Sequence, residues 1–372
     1  MTTSPGTTGA VRAEGDGSPV RIGALVPLTR PGWTAAGRHL LAGLELAVRE
    51  VNDAGGIAGR PLELVVRDTA ADPLRAAAAV DELVDLGAAA LAGEYHSVVA
   101  RAVAARADAL GVPFLCSSAV IDALTDGPTR WVARLAPVQS RGWRTYADFL
   151  LGAGHRRIAV AADPGAYWTS GRRILREHLA PRGATVMELD ARERTPAAVC
   201  DALVDHGATA LLLLAGHPEP AVPLVRAVRA DRRLADVLIG APAGQPEFAD
   251  WAELLGGAGA AVPFLRYLPD RLGPTGAHVA SALRERLGEA PSFVAFEGYD
   301  TVAVLAGLLR THGADRASVA ASWPHVDVEG TRGRIRFART ADTGVWQWEW
   351  APVQVVDRDP ADPERFRILH TG

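Results

Sequence analysis

Short apolar runs alternate with helical patterns along most of the chain. The runs are continuous rather than alternating, which is typical of strands buried on both faces by helices. Between them apolar residues recur at helical spacing, as in Arg38–Asn52, and Gly55 and Gly56 then supply a helix stop. Strand–helix alternation of this length predicts βαβ units and parallel sheets. The predicted strands are Ile22–Leu28, Leu62–Asp68, Ala88–Gly93 and Val112–Ser117, followed by Arg157–Ala162, Thr185–Leu189, Ala208–Leu214 and Asp236–Gly240.

These strands fall into two consecutive groups, and 372 residues are enough for two hydrophobic cores. Pro137 interrupts the pattern between the groups, and an extended segment, Val262–Tyr267, follows the second. The sequence therefore predicts an α/β fold of two doubly wound parallel-sheet lobes. Two helices, Pro274–Leu287 and Phe293–Arg310, and a β-like tail come last. In that tail the period-two spacing of the three tryptophans predicts that they pack on one strand face: Trp346, Trp348 and Trp350.

Composition and motifs exclude several classes of function. The net charge is −4, and without a basic excess nucleic acid is not an expected partner. All 39 cationic residues are arginine, and the absence of lysine excludes Schiff-base chemistry and a P-loop. Nucleophile-elbow, zinc-protease and C-x-x-C motifs are missing, and Cys116 and Cys200 stand far apart. The sequence predicts a protein that is not an enzyme and uses no cofactor or metal.

The N-terminal residues predict the compartment. Met1–Ser18 has no apolar core of a secretory signal, so residues 1–20 are predicted to be a disordered tail. No run of about 18 apolar residues occurs, and no membrane span is expected. We expect a cytoplasmic protein from the sequence as written, with an extracytoplasmic location as the alternative if translation starts elsewhere.

A series of motifs identifies a family. The opening RIGALVPLT leads into GRHLLAGLELAVREVNDAGGIAGRPLELVVRDTAADP; further along come LAGEYHSVVARAVAARADALGVPFLCSSA, GHPEP, FEGYDTVAVLAGLL and EGTRGRIRF. In their order, from about Arg21 to Val356, they resemble the leucine/isoleucine/valine-binding branch of the type I periplasmic binding proteins. The resemblance implies a protein that binds a small molecule in a cleft between two lobes and closes over it about a hinge.

The resemblance also implies how the lobes are built. The chain is expected to cross between them three times. Lobe 1 would then comprise residues 21–136 plus 267–337, and lobe 2 residues 137–266 plus 338–372.

Two corners at the carboxyl ends of lobe 1 strands are candidate ligand contacts, because ligands of doubly wound sheets bind there. One contains Tyr95 and Ser97, and the other contains Ser118, Ala119 and Val120. Backbone N–H groups and hydroxyls at helix starts suit a carboxylate. The resemblance implies that Ser97 touches the ligand and that Ser118 and Val120 occupy positions that hold its α-carboxylate and α-amino groups.

Aromatic residues are expected to cover the ligand from both lobes. Trp33 follows the first strand, and the resemblance implies that Tyr167 lies across the ligand from lobe 2. Gly216, which opens the GHPEP segment, and Glu297 complete the predicted set of ligand-binding residues.

Two departures from the family pattern bear on the ligand. The family usually has Ser or Thr where this chain has Val120, and the acidic partner for an ammonium is missing from Gly240–Ala243. Glu94, Glu297 and Asp300 are candidate substitutes. An amino acid, a carboxylate without an ammonium, or an aromatic or amide ligand all remain open.

Two functions are compatible with these patterns. The first is the capture component of an ABC-type uptake system, whose partner is a membrane permease. The second is a cytoplasmic sensor in which lobe closure changes the affinity for a regulatory partner.

Overall fold

The computed structural model describes residues 17–339, 344–362 and 364–372. The predicted disordered tail comprises residues 1–20, of which residues 1–16 lie outside the described residues. The predicted end of the tail is too late, because Val20 already pairs with Leu62 in the first strand. Within the described ranges, none of the helices combines the length and the apolar character needed to cross a bilayer.

The strands of the described chain form three sheets. In chain order they are β1 Val20–Val26, β2 Leu62–Asp68, β3 Ala90–Gly93, β4 Phe114–Cys116, β5 Val132–Arg134, β6 Arg157–Ala162, β7 Thr185–Asp190, β8 Ala210–Leu214, β9 Leu238–Gly240, β10 Phe264–Arg266, β11 Asp327–Gly330, β12 Gly333–Ala338, β13 Trp346–Trp348, β14 Gln354–Arg358 and β15 Phe366–Thr371.

The helices lie between the strands, as the alternating pattern predicts. They are α1 Thr34–Asp53, α2 Pro73–Asp85, α3 Ser97–Leu110, α4 Gln139–Gly152, α5 Ala166–Leu179, α6 Pro196–His206, α7 Ala221–Ala230, α8 Ala249–Leu255, α9 Pro274–Leu287, α10 Phe293–His312 and α11 Arg316–Ala321.

Two mainly parallel sheets form the centres of the two lobes, which confirms the predicted α/β fold. The larger sheet has the order β11-β12-β13-β5-β4-β3-β1-β2, and the smaller has the order β7-β6-β8-β9. The chain leaves the larger sheet after β5, returns to it after β10 and leaves it again after β13. A third sheet, β10-β14-β15, is antiparallel and was not predicted.

The C-terminal tail differs from its prediction in two respects. β13 pairs with β5 in the larger sheet, although residues 338–372 were assigned to lobe 2. The lobe boundaries remain a prediction, and this pairing favours a last boundary after Trp348. The prediction that three tryptophans pack on one strand face was wrong for Trp350. The strand ends at Trp348, and the Trp350 side chain is 73% exposed.

Helices α1 and α10 lie against each other on the larger sheet, and two glycines allow their close approach. A Cβ atom added to Gly43 would overlap with the carbonyl oxygen of Ala295, and one added to Gly298 would overlap with that of Leu40. This contact fixes α10, which carries Glu297 and Asp300 beside the cleft.

Candidate functional site

A cavity of about 290 Å³ lies between the lobes. It is bordered by segments that follow the carboxyl ends of strands in both parallel sheets, which is where ligands of doubly wound sheets bind. Aromatic and small apolar side chains form most of its wall. The lining residues are Trp33, Ala71, Tyr95, His96, Ser97, Val98, Val99, Ser118, Val120, Pro164, Gly165, Ala166, Tyr167, Trp168, Ala243, Tyr267 and Phe293.

The structure brings most of the predicted ligand-binding residues together around this cavity. Those that line it come from both lobes: Trp33, Tyr95, Ser97, Ser118, Val120 and Tyr167. That they contact a ligand remains a prediction.

Three predicted residues do not line the cavity. Ala119 is fully buried behind the wall, and its carbonyl oxygen lies 3.9 Å from the Cys116 sulfur. The N–H of Gly216 donates to the Asp163 carboxylate at 2.8 Å and is occupied there. Glu297 is fully buried immediately behind the cavity.

Several lining residues were not predicted from the sequence. Trp168 and His96 are adjacent in sequence to the predicted residues Tyr167 and Ser97. Trp168 lies in the first turn of α5 and His96 directly precedes α3, so their positions at helix starts could have predicted that they line the cavity. Tyr267 and Phe293 reach the cavity from the β10–α9 connection and the start of α10. Their position depends on how distant elements pack, which periodicity does not give.

Two helix N-termini meet at the cavity, one from each lobe. Residues 97–99 form the first turn of α3, and residues 166–168 form the first turn of α5. Neither helix has a side-chain cap, with His96 and Gly165 at the N-cap positions. First-turn N–H groups have no partner within a helix and carry the positive end of its dipole. The cavity is therefore suited to a negatively charged group.

Glu94 holds the loop between β3 and α3 in place through its carboxylate. Its carboxylate accepts hydrogen bonds from the N–H groups of Tyr95 and His96, both at 2.8 Å, and from the Thr69 hydroxyl at 2.7 Å. The N–H of Trp33 then donates to His96 Nε2 at 3.3 Å. Both carboxylate oxygens of Glu94 are therefore occupied by hydrogen bonds within these loops rather than offered to the cavity.

A buried cluster of charges lies behind the cavity. Arg332 donates to Asp300 Oδ2 at 2.9 Å and to Glu297 Oε1 at 3.1 Å, and all three side chains are inaccessible to solvent. Asp300 Oδ1 also accepts the N–H of Thr331 at 2.6 Å. Burial raises the pKa of Glu297 to about 7, although the Arg332 charge opposes this, and it raises the pKa of Asp300 as well.

The tyrosines of the cavity wall are neutral hydrogen-bonding groups. Burial raises the pKa of Tyr95, Tyr167 and Tyr267 above the ordinary tyrosine value. Their phenols therefore stay protonated at any pH at which the protein is used. Among the lining residues none is an arginine, aspartate or glutamate, so the wall carries no fixed side-chain charge.

Trp33 connects the two lobes across the cleft. Its ring, which follows β1, lies 5.3 Å from that of Phe248 and 6.2 Å from that of His217, between centroids. Both partners belong to the segment between β8 and β10. These contacts close one side of the cavity, so the structure shows the lobes together. The described residues contain no group of His, Cys, Asp and Glu arranged to hold a metal ion.

The chain matches known proteins over nearly its whole length. The family model for periplasmic binding proteins matches residues 19–359. Leu/Ile/Val-binding protein homolog 3 from Brucella melitensis biotype 1 is 25% identical over 343 residues, which is 89% of this chain and 91% of that protein.

Solved structures share the fold at low sequence identity. A leucine-binding protein from Thermotoga maritima has a TM-score of 0.80 at 21% identity, covering 94% of this chain and 97% of that one. A solute-binding protein of an ABC transporter from R. palustris, in complex with benzoate, has a TM-score of 0.79 at 17% identity, covering 95% and 96%. With the family match and the two-lobed cleft, this chain belongs to the periplasmic binding protein family and has its type I fold.

Proposed function

We propose that this chain is the solute-binding component of an ABC-type uptake system and that its ligand is a small carboxylate with an aromatic-sized apolar body. The observation that carries this proposal is that the N-termini of α3 and α5, neither of which has a side-chain cap, meet at one cavity. No aspartate, glutamate or arginine lines that cavity. Helix N-termini bind carboxylates through free N–H groups and the helix dipole.

The hydroxyls of the lining serines support a carboxylate end. Ser97 stands in the first turn of α3, and the Ser118 hydroxyl is buried and completes no hydrogen bond with any described residue. An unpartnered buried hydroxyl costs free energy that a ligand oxygen can recover. The apolar body of the ligand would lie between Trp33, Tyr167 and Phe293, which approach from both lobes.

An α-amino acid fits this wall less well. Its ammonium needs a carboxylate partner, and Ala243, which lines the cavity from the Gly240–Ala243 segment where the resemblance implies an acid, supplies none. Of the substitutes considered from the sequence, Glu94 and Asp300 have their oxygens occupied by internal hydrogen bonds. Glu297 is held by Arg332. The benzoate complex of the R. palustris protein supports the choice, since a fold of this kind accommodates an aromatic carboxylate.

A ligand screen tests the proposal. Benzoate, 3,4-dihydroxybenzoate, leucine and isoleucine would be compared by thermal shift and calorimetry. We expect the aromatic acids to stabilise the protein, by about 2.7 kcal/mol at a concentration 100 times the Kd. Tyr167→Ala should weaken benzoate binding at least about tenfold by removing one side of the aromatic enclosure.

Trp350→Ala is the matched control, because it removes an aromatic ring that is 73% exposed and lies outside the cavity lining. It should bind benzoate as the unmodified protein does. Tighter binding of leucine than of benzoate would show that the ligand class is wrong.

We further propose that the protein acts outside the cytoplasm and delivers its ligand to a membrane permease, as its family membership suggests. Fractionation of cells that express the natural gene tests this location. We expect the protein in the exported or cell-surface fraction. Recovery from the cytosol alone would contradict transport and favour a ligand sensor of the same fold.

A further inference from the structure

An acid lies directly behind the cavity wall at Ser118. Glu297 is on α10, one turn after the lining residue Phe293, and it is fully buried. Arg332, which holds one of its oxygens, also donates to the carbonyl oxygen of Tyr267 at 3.4 Å. Ser118 and Tyr267 line the cavity, whereas Glu297 does not.

Two polar atoms at this place have no completed hydrogen bond among the described residues: Ser118 Oγ and Glu297 Oε2. Their segments meet here, because the Thr301 hydroxyl on α10 contacts both the Ser117 hydroxyl, at 2.9 Å, and the Glu297 carbonyl oxygen, at 2.7 Å. The Ser118 hydroxyl also lowers the pKa of the Glu297 carboxyl. Ser118 is 4% exposed and lines the cavity, so its hydroxyl can hydrogen-bond to a ligand or a water there.

The charges around Glu297 favour its neutral form. Arg332 faces it with one positive charge, and Asp300, on the same helix, shares that charge. The phenols of Tyr95 and Tyr267 face it without charge. With both acids ionised the buried cluster would carry a net charge of about −1, which protonation of Glu297 removes at the lowest cost.

The protonation state of Glu297 determines what Ser118 offers to the cavity, because a serine hydroxyl has a single proton. If Glu297 is ionised, Ser118 donates that proton to Oε2 and presents only lone pairs to a ligand. If Glu297 is neutral, its own O–H can be donated to Ser118 Oγ. The Ser118 proton is then free for a ligand oxygen.

We propose that Glu297 is a specificity-determining residue that, in its neutral form, makes Ser118 a hydrogen-bond donor to the ligand carboxylate. Where Glu297 is ionised in the free protein, the protein therefore takes up one proton from solvent as it binds an anionic ligand. This inference rests on the carboxylate ligand of the proposed function. Glu297 acts through Ser118 and does not itself touch the ligand.

The sign of the pH dependence follows from the pKa of Glu297. Below its value of about 7 the carboxyl is already neutral, and an anion binds without proton uptake. Above that pH a proton must be acquired for each anion bound. Affinity for a carboxylate therefore falls as pH rises through this range, by up to about tenfold per pH unit. An ammonium ligand would show the opposite sign.

The test measures the affinity for benzoate by calorimetry at about pH 6 and about pH 8.5, in buffers of different ionisation enthalpy. We expect the natural protein to lose at least about tenfold in affinity between them and to take up a proton at the higher pH. In Glu297→Gln the amide still accepts from Arg332 and donates to Ser118, but it does not titrate. Its affinity should change less than about twofold.

Glu253→Gln, on an exposed position of α8, is the matched control and should keep the natural pH dependence. His96 also lines the cavity and is unchanged in Glu297→Gln. If Glu297→Gln does not fold, Ser118→Ala carries the same test, since it removes the hydroxyl through which the proton acts.

The outcomes separate this inference from the proposed function. Benzoate binding that is independent of pH, or a Glu297→Gln variant with the natural pH dependence, overturns the role of Glu297 and leaves the carboxylate ligand in place. Failure of both aromatic acids to bind at either pH shows that the ligand class is wrong, and this inference falls with it.

Discussion

Arg332 is the residue on which the buried charges behind the cleft depend. Its guanidinium separates Glu297 from Asp300 and lies over the Trp348 ring, 4.9 Å from the ring centroid. A planar cation with several donors can hold two carboxylates at once and stack on an indole. The sequence shows an arginine in EGTRGRIRF, but only the fold brings it to a helix more than 30 residues away.

Replacing Arg332 by methionine should therefore be strongly destabilising. The change keeps an apolar side chain of similar length but leaves two buried acids without a counter-ion, at a cost of about 3–5 kcal/mol in the free energy of unfolding. Urea denaturation at neutral pH measures it.

Arg334→Met in β12 is the control. Arg334 also pairs with an aspartate, Asp327, but its side chain is 60% exposed, and exposed pairs contribute about 1 kcal/mol or less. Similar losses in the two variants would argue against a special role for the buried cluster.

At the scale of elements, the helices were largely predictable and their partners were not. Helical periodicity placed α10 at Phe293–Arg310, and the structure extends it to His312. Periodicity identifies the apolar side of a helix, but it does not say which neighbour covers that side. The glycines of α1 and α10 show why this matters, because an ordinary side chain at Gly298 would keep the helices apart.

Gly298→Ala should destabilise the protein by about 1–3 kcal/mol, because the added methyl group meets the backbone of α1. Gly307→Ala, in the same helix, is the matched control. A Cβ there would lie 3.8 Å from Val328 Cγ2, an ordinary contact, so higher helix propensity should leave stability unchanged or raise it by up to about 1 kcal/mol. Thermal unfolding of both variants checks the prediction, and equal losses would contradict it.

The candidate site was predictable where it depends on strand ends. Tyr95, Ser97 and Ser118 follow parallel strands whose carboxyl ends meet at one edge of a sheet, so sequence order alone brings them together. Gly216 follows a strand in the same way, but its N–H is turned to Asp163. The direction of a group within a loop depends on local hydrogen bonds that strand order does not determine.

For the whole molecule, the sequence pattern predicted two parallel sheets but not the third sheet. The C-terminal strands are short, and their alternation does not say which sheet they join. β12 and β13 extend the larger sheet, whereas β14 and β15 join β10 in an antiparallel sheet. The crossings between lobes came from the resemblance to a family, because chain reversals over hundreds of residues leave no local signal.

The two indoles on the cavity wall give the cleft an optical signal of its own. Trp33 and Trp168 line the cavity from opposite lobes, whereas Trp143, Trp251 and Trp323 are sealed in the interior. A ligand that replaces water beside the first pair alters their fluorescence, whereas the interior three stay shielded from solvent. Binding can thus be followed on the unlabelled protein, which is useful because a chain without lysine offers amine-reactive dyes no side chain to attach to.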